Sequence, residues 1–330
     1  MTPVLRRGDG GEPVRDLQQR LSRVGVPTHD ELGDYGTGTE QAVRIFQEQR
    51  GLRVDGLCGP QTWSALVESG FQLGDRLLYH RQPMLRGDDV AILQQRLNAL
   101  GFDAGREDGI LGKQTAEALR EFQRNAGVAV DSIAGPATIA ALDRLGAPGS
   151  GSIAAVRERE SLRYGRALAG SRIYVSATPG LEVLGRAIER GLLEFGATVV
   201  LDAAALDDSE VAASANRFEA DVFLAVRSGD AAACRCTFFA TPTFRSEAGY
   251  HLARAIQEEL AGIVAVGEGE PCAKTYPLLR ETRMAAVVCE PVQHDDLDAM
   301  RDLVRNVTAI GHAVVRGVRR GLEEPKPAGA

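Results

Sequence analysis

Apolar residues in the first part of the chain recur three and four positions apart, which is the spacing of one face of an α-helix. Two blocks with this pattern superimpose without a gap when one is shifted by 76 positions. The apolar pairs matched by this shift are Val14 with Val90, Leu17 with Leu93, Leu21 with Leu97, Phe46 with Phe122, and Leu66 with Leu142. The shift also aligns the turns VDGLCGPQT (54–62) and VDSIAGPAT (130–138), each with a proline placed to start a helix. Each block is therefore predicted to be a unit of about three short helices.

After residue 171 the pattern changes, and apolar runs of strand length alternate with helical periods. The predicted strands are RIYVSA (172–177), ATVVLDA (197–203), DVFLAV (221–226), CTFFAT (236–241) and AAVVCEPV (285–292). Helices are predicted over 182–196, 209–220, 246–261, 275–283 and 295–320. This alternation predicts an α/β domain with a mostly parallel sheet and helices on both faces.

The chain is thus predicted to be a multi-domain protein in which two small all-α, three-helix repeats precede an α/β domain. The predicted ranges are 1–72 for the first repeat, 73–146 for the second, 147–170 for a linker and lead-in helix, 171–322 for the α/β domain, and 323–330 for a disordered tail. The linker prediction depends on the glycine- and serine-rich stretch GAPGSGS (146–152).

Composition restricts the function classes. The net charge is −7 and the acidity is spread evenly along the chain, which argues against a nucleic-acid partner. No stretch approaches the roughly 18 to 20 apolar residues of a membrane span. The N-terminal residues contain no apolar run typical of a signal peptide. The five cysteines are an odd number and are scattered, which favours reduced thiols and a cytoplasmic location.

The helical repeats resemble a known family. The segments that carry the likeness are GDDVAILQQRLNALGF (87–102), DGILGKQT (108–115), EFQ (121–123), GPAT (135–138) and GLRVDGLCGPQTW (51–63). Together they resemble the peptidoglycan-binding domain found on many cell-wall hydrolases. Tyr35 and Trp63 are candidates to stack on a sugar or peptide ligand, with a packing role as the alternative for each. Whether the repeats bind peptidoglycan stays open.

The α/β domain resembles the zinc-dependent N-acetylmuramoyl-L-alanine amidases through SANRFEADVFL (214–224) and LLRETRMAAVVCE (278–290). The resemblance implies a zinc ion held by two histidines and a glutamate, with a further glutamate as the catalytic carboxylate. Here the first histidine position falls near Pro179 and the second falls on Arg227, while Glu290 matches the catalytic glutamate. Glu182 is the carboxylate nearest to the missing glutamate ligand, about one helical turn out of register. The three matched positions are therefore interpreted as vestigial, with no catalytic residue and with the zinc cofactor lost.

Two further side-chain groups have alternative interpretations. Arg227 and the helix start TPGLE (178–182) are candidates to hold an anionic ligand; the alternative is that Arg227 pairs with a local carboxylate such as Asp230. Cys234 and Cys236 are predicted to point to the same side of a strand, as ordinary thiols rather than as a metal site.

The combination of two peptidoglycan-binding repeats with an amidase domain that lacks zinc ligands resembles a group of actinobacterial regulators. The segments 77–80, 86–90 and 278–284 add to that likeness, together with Arg227. The resemblance implies a non-catalytic cytoplasmic regulator of peptidoglycan precursor biosynthesis, which acts by protein binding through the amidase-like domain that lacks zinc ligands. Its implied partners are the UDP-N-acetylglucosamine enolpyruvyl transferase, a Ser/Thr kinase and the lipid II export machinery. The segment EEPKPAGA (323–330) contains no serine or threonine, so the family's phosphorylated tail has no counterpart there.

Two other functions stay open at this point. One is an active N-acetylmuramoyl-L-alanine amidase whose catalytic residues align differently. The other is a cytosolic sensor that binds muropeptides or cell-wall precursors through the repeats or the vestigial site.

Overall fold

The computed structural model describes residues 4–145, 166–204, 207–241, 244–267, 269–293 and 296–323. The chain divides into two compact units, Met1–Arg157 and Glu158–Ala330, which are described one at a time below. Most of the predicted linker (147–170) and of the predicted tail (323–330) lies outside the described residues. Within the described ranges, every helix is too short or too polar to span a bilayer.

The first unit contains the two expected three-helix repeats. The helices of the first repeat are α1 (Glu12–Arg23), α2 (Thr37–Gln49) and α3 (Pro60–Glu68), and those of the second are α4 (Asp88–Ala99), α5 (Lys113–Ala126) and α6 (Pro136–Arg144). Each repeat buries its own apolar core, as the helical periodicity predicts. An antiparallel bridge closes each repeat, between Leu5 and Cys58 in the first and between Leu78 and Ala134 in the second.

A buried glutamine holds each turn between consecutive helices of a repeat. The Gln18 side-chain amide donates to the Asp34 carbonyl oxygen (2.9 Å) and to the Thr39 hydroxyl (3.0 Å), and its oxygen accepts from the Gly33 N–H (2.8 Å). The same arrangement recurs at Gln47 with Thr62, Gln94 with Thr115, and Gln123 with Thr138. An amide side chain has both donors and an acceptor, so it satisfies turn backbone groups that would otherwise be buried without partners. We call this arrangement the glutamine motif.

The second unit is an α/β domain, which confirms the predicted class. Its strands are β1 (Arg172–Ala177), β2 (Thr198–Asp202), β3 (Val222–Val226), β4 (Arg235–Phe239), β5 (Cys272–Lys274) and β6 (Ala285–Glu290). Its helices are α7 (Glu182–Glu194), α8 (Asp208–Arg217), α9 (Glu247–Leu260), α10 (Pro277–Arg280), α11 (Leu297–Arg305) and α12 (Val307–Glu323). The strand order is β2-β1-β3-β6-β4-β5. Every neighbouring pair is parallel except β4 with β6, which is antiparallel.

The helices cover both faces of the sheet. On one face α7 and α9 pack on the strands and α12 packs on both helices, which buries residues such as Ile188, Ile256 and Val315. A Cβ atom at Gly317 of α12 would lie 2.5 Å from the Ile256 Cα atom of α9, so the close approach of these two helices requires glycine there. On the other face α8 and α10 pack together and cover the side of the sheet that carries Phe223.

Two predicted helices differ from the structure. The helix predicted over 275–283 is the single turn α10, because Pro277 sets its start and the Thr282 hydroxyl donates to the Leu278 carbonyl oxygen at its end. The helix predicted over 295–320 is divided into α11 and α12 at Asn306. The Asn306 side-chain amide donates to the Asp302 carbonyl oxygen (3.0 Å), and this local bond competes with continuation of the helix. The short edge strand β5 was not expected from the sequence.

Candidate functional site

The three positions that match the amidase site lie along one edge of the sheet. Pro179 follows the end of β1, Arg227 follows β3, and Glu290 is the last residue of β6. Since β1, β3 and β6 are parallel neighbours, their carboxyl ends are side by side, which is where open α/β sheets place their sites. Backbone bonds join these ends: the Thr178 N–H donates to the Val226 carbonyl oxygen (3.2 Å), and the Arg227 N–H donates to that of Cys289 (2.9 Å).

The Arg227 side chain is committed to neighbouring protein groups. It is only 14% exposed, and its Nη2 atom lies 3.7 Å from the Asp208 carboxylate at the start of α8. Nη1 donates to the carbonyl oxygens of Ser176 (3.1 Å) and Val226 (3.0 Å), and Nη2 donates to the Ser176 hydroxyl (3.0 Å). The carboxylate that pairs with Arg227 is therefore Asp208 and not Asp230. Asp208 can do so because the first residue of α8 lies close to the end of β3.

Further polar groups surround this guanidinium. Tyr174 and Ser176 are two apart on β1 and so share a face of the sheet. The Tyr174 hydroxyl donates to the Asp202 carboxylate of β2 (2.9 Å), and burial, with Asp202 adding to it, raises the pKa of Tyr174 to about 12. Burial lowers the pKa of Arg227, while the charges of Asp208 and Asp202 raise it; an arginine nonetheless stays protonated in proteins. We call Tyr174, Ser176, Asp202, Asp208 and Arg227 the Arg227 cluster.

The turn after β1 uses one of its own carboxylates to bind a backbone N–H group. Pro179 has no side-chain donor or acceptor, and the next residue, Gly180, has a positive φ of 93°. The Gly180 N–H donates to the Glu182 carboxylate (2.8 Å) at the start of α7. Of the groups that the anion interpretation combines, the Arg227 guanidinium and the Gly180 N–H are therefore both bonded to the protein's own oxygen atoms.

Glu290 is half-buried and has a partner that the sequence did not indicate. The Tyr276 hydroxyl donates to its Oε1 atom (3.1 Å). A Cβ atom at Gly229 would lie 2.8 Å from the Glu290 Cβ atom, so glycine is required where this loop passes the carboxylate. Tyr276 lies in a segment that the sequence predicts to be helical, and no local pattern links it to a strand end. Only the order of the strands in the folded sheet brings Tyr276 next to Glu290.

The donor atoms at this edge do not fit a zinc site. Zinc requires nitrogen, oxygen or sulfur ligands, usually three from the protein in a catalytic site. Pro179 provides none, Arg227 is a cation bound to other groups, and the Glu182 carboxylate is bonded to its own turn. Within the part of the chain that the structure describes, no three histidine, cysteine or acidic side chains are grouped so as to hold a metal ion. No catalytic step through a metal follows from these residues.

The two aromatic candidates in the first repeat differ. Tyr35 is only 2% exposed, its hydroxyl donates to the Gly56 carbonyl oxygen (2.8 Å), and burial raises its pKa. The expectation that Tyr35 stacks on a ligand is therefore corrected: its ring is a core group with no accessible face. Trp63 is half-buried, with the Arg20 guanidinium 5.5 Å from its ring centroid, and it remains the aromatic candidate for ligand contact.

Comparison with known proteins assigns the chain to a family. Residues 10–66 and 86–142 each match the family described as a putative peptidoglycan binding domain. The N-acetylmuramoyl-L-alanine amidase CwlM of Mycobacterium tuberculosis is 34% identical over 333 residues, covering 86% of this chain and 80% of that protein. The N-acetylmuramoyl-L-alanine amidase CwlL of Bacillus licheniformis is 33% identical over 164 residues, covering 43% of this chain and 46% of that protein.

Among solved structures, similarity is limited to part of the chain. The N-acetylmuramyl-L-alanine amidase Ami1 of Mycobacterium smegmatis aligns with a TM-score of 0.41 and 14% identity, over 48% of this chain and 99% of that one. The family assignment depends on the similarity to the Mycobacterium tuberculosis protein, which extends over most of both chains. The chain belongs to the CwlM family, with two peptidoglycan-binding domains followed by an amidase-like α/β domain.

Proposed function

We propose that this protein is a non-catalytic cytoplasmic regulator of peptidoglycan precursor biosynthesis that acts by binding other proteins. One observation carries the proposal: a guanidinium occupies the position of the second zinc histidine and is held by Ser176 and Asp208. A fixed positive charge there repels a dication, and moving it away would break the hydrogen bonds that the guanidinium donates to Ser176 and Val226. Pro179 removes a second ligand, because its side chain has no donor atom.

The retained carboxylate does not restore the reaction. In a zinc amidase the metal activates the water, and the carboxylate moves the proton. Glu290 lies at the strand end where the amidase resemblance places the catalytic glutamate. However, it accepts a hydrogen bond from the Tyr276 hydroxyl, and Pro179 and Arg227 at the same edge are not metal ligands. We infer that the strand end is kept for folding and for the surface around it, while hydrolysis has been lost.

The proposed partners follow from the family resemblance. The main one is the UDP-N-acetylglucosamine enolpyruvyl transferase, with a Ser/Thr kinase as controller. The amidase-like domain carries two exposed apolar side chains on α11, Leu297 and Val304, which are 70% and 50% exposed. They are seven residues apart and therefore share one face of the helix. We assign partner binding to the amidase-like domain and expect this face to take part in it.

A second candidate function is a sensor of muropeptides or precursors. The observation that favours it is the match of both repeats to the peptidoglycan-binding family, together with the half-buried Trp63. Sensing and protein binding are compatible, because a ligand on a repeat leaves the amidase-like domain available.

The first experiment measures zinc content and amidase activity on the full chain, purified without chelator and then supplied with zinc and a muropeptide. An active zinc amidase treated in the same way is the positive control. The proposal expects no bound zinc and no released stem peptide. About one zinc per chain with stem-peptide release would overturn it and make the protein an amidase.

The second experiment titrates the purified transferase with the full chain and follows both heat of binding and transferase rate. The test variant carries Leu297→Ser and Val304→Ser, and the matched control carries Leu77→Ser and Tyr79→Ser, which remove exposed apolar surface from the helical unit instead. We expect saturable binding that the test variant weakens at least tenfold and the control leaves unchanged. Binding of a muropeptide without any binding of the transferase would favour the sensor instead.

A further inference from the structure

Three of the five cysteines meet in the core of the α/β unit. Cys236 lies on β4, Cys289 lies on β6, and Cys234 immediately precedes β4. All three are nearly fully buried and belong to one apolar cluster. Cys234 and Cys236 are two apart and therefore face the same side, as the sequence predicts.

Cys236 and Cys289 are directly opposite each other in the antiparallel ladder between β4 and β6. The Cys289 carbonyl oxygen accepts a hydrogen bond from the Arg227 backbone N–H, on the side of β3. The Cys236 N–H donates to the Gln257 side chain (3.2 Å), so these backbone groups of the two cysteines do not bond to each other. The pair thus occupies a non-hydrogen-bonded site of the ladder, where opposite Cα atoms are about 4.5 Å apart and side chains are closest. That separation lies within the range that disulfides span.

The two sulfur atoms are already in contact. The Cys236 Sγ atom lies 3.6 Å from the Cys289 Sγ atom, and a disulfide requires about 2.05 Å. Rotations about the two Cα–Cβ bonds are small movements compared with a shift of a strand. Neither β4 nor β6 has to change register for the bond to form.

We propose that Cys236 and Cys289 form an oxidation-sensitive dithiol, which a peroxide converts into a disulfide linking β4 to β6. One sulfur attacks a peroxide oxygen, the O–O bond breaks, and a sulfenic acid and one water form. The second sulfur then attacks the sulfenic sulfur, the S–S bond forms, and a second water leaves. In total two thiols and one hydrogen peroxide give one disulfide and two waters.

The reaction is expected to be slow in the folded protein. The hydrogen bond with Cys289 and burial both raise the pKa of the Cys236 thiol, so little thiolate is present. Peroxide must therefore reach the pair during local opening. Such opening is favoured at this end of the sheet, because the neighbouring edge strand β5 has only three residues.

The disulfide would restrict movement of β4 relative to β6 at the edge of the sheet that carries Glu290. Arg235 is opposite Glu290 in the same ladder, one position along from the cysteine pair. The disulfide would also close the chain between β4 and β6, which includes α9, β5 and α10. Closing such a long segment restricts the unfolded chain, so we expect the midpoint of thermal unfolding of the α/β unit to rise by roughly 5–10 °C.

The test uses the full chain with Cys272→Ser, which removes the more exposed thiol. The protein is treated with hydrogen peroxide, alkylated after unfolding, and digested with trypsin without reduction. Cleavage after Arg235 separates Cys234 from Cys236, because the expected peptides are SGDAAACR (228–235) and CTFFATPTFR (236–245). We expect the second of these linked to MAAVVCEPVQHDDLDAMR (284–301), with a reversible rise in the unfolding midpoint.

Cys58 supplies the matched control, because it is equally buried but lies in the first repeat. Cys58→Ser should retain both the cross-link and the rise in the midpoint, whereas Cys236→Ser should lose both. If Cys236→Ser fails to fold, reversal of the rise by dithiothreitol in the Cys272→Ser protein gives the same answer. A link from Cys234 to Cys289, or oxidation to single sulfinic acids without a cross-link, would overturn the proposal.

Discussion

The helical unit and the α/β unit differ in which family residues they keep. In the repeats, the residues that resemble the family also make the buried hydrogen bonds, as Gln18 and Thr39 do. In the α/β unit the strands match the predicted class, but Pro179 and Arg227 stand at the strand ends where the amidase resemblance expects histidines. A turn held by a buried amide cannot lose that amide without leaving backbone groups unpaired. A strand end is less constrained, because a polar side chain there can find local partners, as Arg227 does with Ser176 and Asp208.

The two repeats share the hydrogen bonds that hold their turns but differ in a contact between helices. The glutamine motif occurs in both. The contact between first and third helix differs: Arg20 lies over the Trp63 ring in the first repeat, whereas Arg96 forms an ion pair with Asp143 in the second. These arginines are 76 positions apart and occupy equivalent places. An arginine at this position can thus join the first helix to the third through either an aromatic ring or a carboxylate.

The largest effect is expected at the Arg227 cluster. Arg227→Met should lower the free energy of unfolding of the α/β unit by about 2–4 kcal/mol, because the Ser176 carbonyl oxygen and hydroxyl and the Val226 carbonyl oxygen lose the hydrogen bonds that the guanidinium donates, and Asp208 loses a nearby positive charge. Denaturant unfolding followed by circular dichroism measures this loss. The matched control is Arg254→Met, which removes an exposed ion pair with Glu258 and should have no measurable effect. Equal losses of unfolding free energy in both variants would mean that the Arg227 cluster does not stabilise the fold more than an exposed ion pair does.

The next effect concerns the glutamine motif. Gln94→Leu should destabilise the helical unit by about 2–3 kcal/mol, because the Gly109 N–H and the Ile110 carbonyl oxygen lose their buried partner. The control is Gln49→Ala on the exposed end of α2, with an expected change within about 0.5 kcal/mol. If Gln94→Leu unfolds at the wild-type denaturant concentration, the motif does not hold the turn.

A smaller, pH-dependent effect is expected at Asp30. Its burial opposes ionisation, but bonds from the Thr39 N–H and hydroxyl and from the Gly38 and Gly36 N–H groups outweigh it, so its pKa lies below 3.8. A carboxyl group with a lowered folded-state pKa stabilises the fold above its unfolded-state pKa, and the contribution is lost as the pH falls through the folded-state value. Asp30→Asn should therefore lower the unfolding midpoint near pH 6, and this effect should shrink steadily as the pH falls below the ordinary pKa of an aspartate. Glu48→Gln, at an exposed position, should change little at either pH.

The smallest effect is a stabilisation in the second repeat. Ser132 has a φ of 60° where the first repeat has Gly56 at 73°. Ser132→Gly should raise the free energy of unfolding by about 0.5–1 kcal/mol, since a left-handed backbone disfavours a side chain. The reverse change, Gly56→Ser, should be clearly destabilising, because a Cβ atom there would lie 2.9 Å from Arg44 Nε. Loss of stability in Ser132→Gly would show that the serine hydroxyl outweighs the strain.

Much of the fold was predictable because its signals are local. Helical and strand periodicity identified the repeats and all strands but β5, which is too short to show a period. The division at Asn306 was missed because apolar periodicity continues across it, while the competing side-chain bond leaves no trace in the pattern. Tyr35 was assigned a ligand role because sequence shows an aromatic ring but not its burial.

The sequence by itself determined the elements, the repeat, and the absence of histidines at the two positions that the amidase resemblance assigns to zinc. The tertiary structure alone decided which residues meet at the sheet edge: Arg227 with Asp208, Glu290 with Tyr276, and Cys236 with Cys289. The physical reason is that periodicity reports the burial of a face, which is a local property. Pairing across strands depends on strand order and direction, which the whole chain sets.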